Sequence, residues 1–132
     1  MKKSEEISRL PDTELEIMKV IWNGGENLST SEIKEKLETK RPWNISALQT
    51  LLNRLIDRGF LDSYKEGKNR FYIAIVEENA YLALENRVFL NKVNNNSLTK
   101  LVASLYDSRA ISQNDLDELA IYIRQKTGGE KE

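Results

Sequence analysis

Only two short runs in this 132-residue chain read as β-strands, Phe60–Tyr64 and Arg70–Ile75, and they are neighbours, joined by Lys65-Glu66-Gly67-Lys68-Asn69. Aromatic and β-branched residues suit a pleated surface, and Gly67 gives the connection turn chemistry. One hairpin is marginal by itself in water, so the core of such a chain must come from helices. The expected class is therefore mainly α with a small β-hairpin.

Three helical patterns precede the hairpin. Asp12 to Trp22 sets Leu15, Met18 and Trp22 on one face, with Ile17, Val20 and Ile21 beside them, and Asn23-Gly24-Gly25 ends the run. Ser29 and Glu32 have capping-box spacing, with Leu28 and Ile33 placed as a hydrophobic staple for a short helix running to about Thr39. After Lys40-Arg41-Pro42, Asn44 is placed as an N-cap and Trp43 as a staple onto Leu48. Leu48, Leu51, Leu52 and Leu55 recur at helical spacing, and Arg58-Gly59 closes the helix. Its opposite side carries Ser46, Gln49, Thr50, Asn53 and Arg54.

Three helices followed by a hairpin is the element order of a winged helix-turn-helix, whose last helix enters the major groove of DNA while the hairpin follows the backbone. A formal net charge of −1 argues against a nucleic-acid partner until it is partitioned. Residues 1–76 are net +1, residues 77–132 net −2, and the segment 40–72 alone is net +4. Gln49 and Asn53, four apart on one face, are amides of the kind that pair bidentately with adenine; Ser46 and Thr50 can bond to bases or phosphates, and Ala47 can pack on a thymine methyl. Arg54, Lys65, Lys68 and Arg70 would reach phosphates, which add affinity but little sequence information. With Trp43 and Asn44 at the helix start, these residues are the expected DNA-binding set.

The rest of the chain, from Glu77, carries three more helical patterns and no strand-like run. They cover Glu77 to Val93 with Tyr81, Leu84 and Val88 in register, Ser97 to Tyr106 with Leu98, Leu101, Val102 and Leu105, and a stretch capped by Ser112 with Leu116, Leu119, Ala120 and Ile123. So few residues rarely sustain a core without a metal, a disulfide or a partner, and the sequence has neither Cys nor His. Residues 77–132 are thus expected to be a helical dimerisation domain behind a DNA-binding domain at 1–76. The alternative on size alone is a compact monomer of six packed helices. A two-fold dimer would present two recognition helices to a pseudo-palindromic operator.

The missing Cys and His also exclude thiol nucleophiles, zinc fingers and the usual general base, so neither catalytic residues nor a metal or other cofactor is expected. The carboxylate pairs Glu14/Glu16 and Glu35/Glu38 and the cluster Asp115/Asp117/Glu118 read as helix-start or solvated-face charges, with no phosphate loop beside them. No apolar run approaches the ~18 residues of a membrane span, and Met1-Lys2-Lys3-Ser4-Glu5-Glu6-Ile7 lacks a signal peptide's hydrophobic stretch, so a cytoplasmic protein with no direct membrane insertion is expected.

Several fragments, in order and spacing, resemble the penicillinase-repressor (BlaI/MecI-type) family of transcription factors. They are Glu14-Leu15-Glu16-Ile17-Met18-Lys19-Val20-Ile21-Trp22, Trp43 with Thr50-Leu51-Leu52-Asn53-Arg54-Leu55, Gly59-Phe60-Leu61, Phe71-Tyr72, Phe89-Leu90-Asn91-Lys92-Val93 and Ser112-Gln113-Asn114-Asp115-Leu116-Asp117-Glu118-Leu119. The resemblance implies a homodimeric repressor of β-lactam resistance genes. It also implies relief by a protease linked to a membrane sensor, which cuts within the dimerisation part. The family's cleaved Asn-Phe bond falls at Ser104-Leu105, and the family's threonine falls at Ala47, with basic residues near Ser46 and Gln49; a different operator preference is expected. The copper-responsive branch uses a cysteine cluster that this chain lacks. A reading from another class, a winged-helix module that binds a protein partner and no DNA, stays open at this point.

Overall fold

The computed structural model describes residues 7–25 and 27–128. Its elements are α1 (Asp12–Asn23), β1 (Leu28–Ser29), α2 (Thr30–Leu37), α3 (Ile45–Asp57), β2 (Leu61–Glu66), β3 (Asn69–Ala74), α4 (Glu78–Asn94), α5 (Leu98–Asp107) and α6 (Gln113–Thr127). The order is that of a winged helix-turn-helix followed by three helices, the expected class. Two compact units emerge, one ending at Asn86 and the other beginning at Arg87.

The helix starts follow the capping chemistry read from sequence. Ser29 Oγ accepts the Glu32 N–H at 3.2 Å while Glu32 Oε1 accepts the Ser29 N–H at 2.8 Å, a complete capping box on α2. Asn44 Oδ1 accepts the Ala47 N–H at 3.0 Å and so starts α3. Ser112 and Asp115 form a second capping box on α6, and Gly128 closes that helix at φ 69.

The hairpin is longer and its turn tighter than expected. Glu66 pairs with Asn69, leaving a two-residue turn in which Gly67 has φ 66, the positive first position of a type II′ turn. The sheet also has a third strand, in the order β1-β3-β2, because Leu28 and Ser29 pair antiparallel with Tyr72 and Phe71. Two residues have no periodicity to read, and β1 exists only because β3 offers it an edge.

The core of the first unit is formed by Ile17, Met18, Ile33, Leu48, Leu52, Leu55 and Phe60, all wholly or almost wholly buried, under Tyr72 of β3. Trp43 and Tyr81 belong to the same cluster. Tyr81 corrects an expectation: it was the first residue of the dimerisation stripe, yet only 1% of its surface is exposed. Its hydroxyl accepts the Leu10 N–H at 2.7 Å, and its ring stands edge-on to Phe60 at 5.7 Å and tilted to Trp22 at 5.8 Å. The first turns of α4 therefore complete this unit, with Leu84 packed partly against it, so the division falls at Asn86/Arg87 and not at residue 76. A large aromatic ring with a polar tip is better held by three elements and a backbone donor than on an open helix face.

Burial pushes the Tyr81 hydroxyl up from 10.0 to about 12, and its bond to Glu85 adds to the rise. The same bond, with Arg9 behind it, holds the Glu85 carboxyl below its ordinary value. The fold thus favours the neutral phenol: this contribution is complete below pH 10.0 and is lost as pH climbs through about 12. Tyr81→Phe is expected to remove that alkaline limb of the stability profile. It should also cost about 1–3 kcal/mol at neutral pH, since the Leu10 N–H loses its acceptor; urea unfolding at neutral and alkaline pH checks both.

Candidate nucleic-acid interface

Helix α3 presents an outer face because Leu48, Leu52 and Leu55 tie its inner face to the core. Ser46, Ala47, Thr50, Asn53 and Arg54 are all exposed on it. Their hydrogen-bonding capacity is unequal. Thr50 Oγ1 donates to the Ser46 carbonyl at 3.1 Å, and Asn44 is engaged in its cap, so both come to the surface partly committed. Gln49 is half-buried, its Nε2 donating to Tyr72 Oη at 3.1 Å. Asn53 and Arg54 have no side-chain partner among the described residues.

Trp43 does not join this face. It is 8% exposed and packs in the core, with the Arg41 guanidinium 4.4 Å above its ring. Its Nε1 is buried and has no partner among the described residues, so it offers nothing to DNA. The reason is the staple geometry that placed it: a residue that locks the entry of α3 against the core cannot also point outward. One residue missed from sequence is Ile45, the first residue of α3, which is 49% exposed. Its place just after the Asn44 cap was the available signal, because groove-reading helices use their N-terminal residues.

The hairpin adds the cations. Pairing puts Lys65 opposite Arg70 and Ser63 opposite Tyr72, so all four share one face of the sheet, the face on which Tyr72 meets α3. Arg70 Nη1 donates to Ser63 Oγ at 2.8 Å, and Lys68 stands in the turn. Like charges directly opposite each other, as Lys65 and Arg70 are, cost stability unless an anion joins them. On the other face Tyr64 and Phe71 stack at 5.5 Å and stiffen the ribbon.

Not every cation of the net +4 segment is available. Arg41 is held by Glu16 at 2.6 Å and Arg58 by Glu14 at 2.7 Å, with Glu14 itself only 1% exposed. These two neutralise carboxylates of α1 and help hold α1 to the rest of the unit. Lys40, Arg54, Lys65, Lys68 and Arg70 have no carboxylate partner among the described residues. Among those residues, too, no group of His, Cys, Asp or Glu could hold a metal ion, and no helix is long and apolar enough to cross a membrane.

The second unit carries the remaining expected residues. Val88, on α4, is half-buried. Neither α5 nor α6 fully buries any residue; Leu101, Val102, Leu105, Leu116 and Leu119 are half-buried, and Leu98 and Ile123 are 57% and 47% exposed. Leu98, Val102, Leu116, Leu119 and Ile123 line an apolar groove of about 440 Å³. Ser104 and Leu105 lie inside α5, Ser104 exposed and Leu105 half-buried.

A protein-family profile described as penicillinase repressor matches residues 10–125. The penicillinase repressor of Bacillus licheniformis is 33% identical over 132 residues, covering all of both chains. The methicillin resistance regulatory protein MecI of Mammaliicoccus sciuri is 31% identical over 124 residues, 94% of this chain and 98% of that one. Among solved structures, the DNA-binding domain of the repressor BlaI superposes with a TM-score of 0.51 at 37% identity, covering 58% of this chain and 92% of that one.

The two kinds of arginine and lysine separate experimentally. Arg58→Ala leaves Glu14 buried without its partner and is expected to lower stability by about 3 kcal/mol. Lys68→Ala, in an exposed turn, should change it by less than about 0.5 kcal/mol. Urea midpoints of the two variants measure the difference.

Proposed function

Because this chain belongs to the penicillinase-repressor family, we propose that it is a DNA-binding transcriptional repressor that acts as a homodimer on a pseudo-palindromic operator. The observation that carries the reading is the one-sided arrangement of the first unit. Lys65 and Arg70, which have no carboxylate partner among the described residues, share the face of the sheet on which Tyr72 bonds to Gln49 of α3, a helix whose outer side carries exposed amide and hydroxyl groups, while Arg41 and Arg58 are neutralised by Glu16 and Glu14. Phosphates relieve the Lys65/Arg70 repulsion and set register; Asn53, Gln49 and Ser46 then meet base edges, with Ile45 and Ala47 available for thymine methyls.

Dimerisation is supported by the second unit, whose α5 and α6 leave an apolar groove open that a second copy would fill. Linking two half-sites multiplies affinity, so loss of the dimer releases DNA. Relief by a sensor-linked protease during β-lactam exposure fits this logic. Cleavage at Ser104-Leu105 would cut α5 within the groove-forming segment, after local unwinding exposes the bond. Control of β-lactam resistance genes is the regulatory context that the named relatives suggest.

Selection from random duplex DNA tests the function, and a recovered palindrome is the expected outcome. A folded chain that binds no duplex at low salt would leave the protein-interaction module as the better reading. Lys68→Ala should weaken binding to all sequences alike and reduce the slope of log affinity against log salt by about 1; Asn53→Ala should relax preference at one base pair by about 1 kcal/mol. Ile123→Asp should shift the chain to monomer in analytical ultracentrifugation and lower operator affinity at least tenfold. Immunoblots of cells given a β-lactam test cutting near Ser104.

A further inference from the structure

Gln49 and Asn53 carry the same amide group one turn apart, yet the fold treats them differently. Asn53 is exposed, with no side-chain partner among the described residues. Gln49 is half-buried, and its Nε2 donates at 3.1 Å to the hydroxyl of Tyr72, a side chain that is itself wholly buried. That hydroxyl is the polar end of a core residue, rooted in the middle strand of the sheet. A primary amide has two N–H bonds. Bidentate recognition of adenine uses the carbonyl oxygen and the N–H on the same side, giving one acceptor and one donor to match adenine N6–H and N7. The other N–H is left over.

We propose that Tyr72 is a positioning residue for base reading, its buried hydroxyl taking the surplus Gln49 N–H so that the remaining amide edge is held outward for one adenine. The inference rests on the DNA-binding reading above. The terminal torsion of a glutamine is broad and roughly two-fold, so an untethered amide offers its donor and acceptor in either order. Held against a fixed hydroxyl in the orientation in which its Nε2 donates, the amide has that torsion restricted before DNA arrives, which lowers the ordering cost on binding. Gln49 should therefore discriminate more sharply than Asn53, which must be ordered by the DNA itself.

The test uses the full chain and a randomised duplex pool, reading base preference position by position. The wild type is expected to prefer adenine by about tenfold at the position whose preference Gln49→Ala abolishes, the size of a good bidentate contact. Tyr72→Phe keeps the ring in the core and deletes only the hydroxyl. It should reduce that single preference to about threefold or less, leaving the Asn53-dependent position and the salt slope unchanged. Adding Tyr72→Phe to Gln49→Ala should change nothing further. An unaltered preference in Tyr72→Phe, an even loss at every position, or a base other than adenine overturns the inference while the function stands. A wild type that selects no sequence overturns both. Should Tyr72→Phe not fold, the side-chain amide protons of Gln49 in the ¹⁵N-labelled wild type decide: one shifted and slowed in exchange supports the tether, and two equivalent to those of a free glutamine overturn it.

Discussion

The recognition face hangs on one buried ring. Tyr72 is wholly buried in β3, paired with Leu28 of β1 on one side and Ser63 of β2 on the other, and its hydroxyl reaches Gln49 of α3. It therefore joins the hairpin, the short first strand and the helix that would enter the groove. A hairpin alone is marginally stable and would sway relative to α3. Rooted through Tyr72, the Lys65/Arg70 pair and the outer face of α3 keep a constant spacing, as simultaneous contact with phosphates and base edges needs.

Charge is organised by pairing and not by total. The net −1 of the chain conceals five cations on α3, the hairpin and the approach to α3 that have no carboxylate partner among the described residues, together with two arginines held by Glu14 and Glu16. Of the two, Arg58 serves the core: Glu14 is almost wholly buried, and a carboxylate there requires a guanidinium beside it. The unpartnered ones include a like-charged cross-strand pair that costs the isolated protein a little stability and suits a polyanion. The same residue type thus has two opposite roles within one small unit.

Much of the fold was legible. The capping box at Ser29/Glu32 and the caps at Asn44 and Ser112 stand where the spacing put them, because capping is settled within four residues of chain. The outward position of Ser46, Ala47, Thr50, Asn53 and Arg54 followed from the leucine period of α3 for the same local reason. What escaped was non-local. Strand β1 has two residues and no pattern; Trp43 adjoins the α3 N-terminus that would meet DNA, but its stapling role already implies burial. Tyr81 fits a helical stripe equally well whether that stripe meets a second chain or its own N-terminal core.

The amino-acid sequence by itself determined the helix starts, the single hairpin, the absence of thiol and imidazole chemistry, and the polar outer face of α3, since each depends on residues near one another along the chain. Tertiary structure alone decided which cations are neutralised, that Tyr81 closes the first unit, and that Gln49 is tethered while Asn53 is not. Those outcomes rest on partners 23 to 71 residues apart, and a short-range periodicity carries no information about which of several suitable partners the packed core brings within reach.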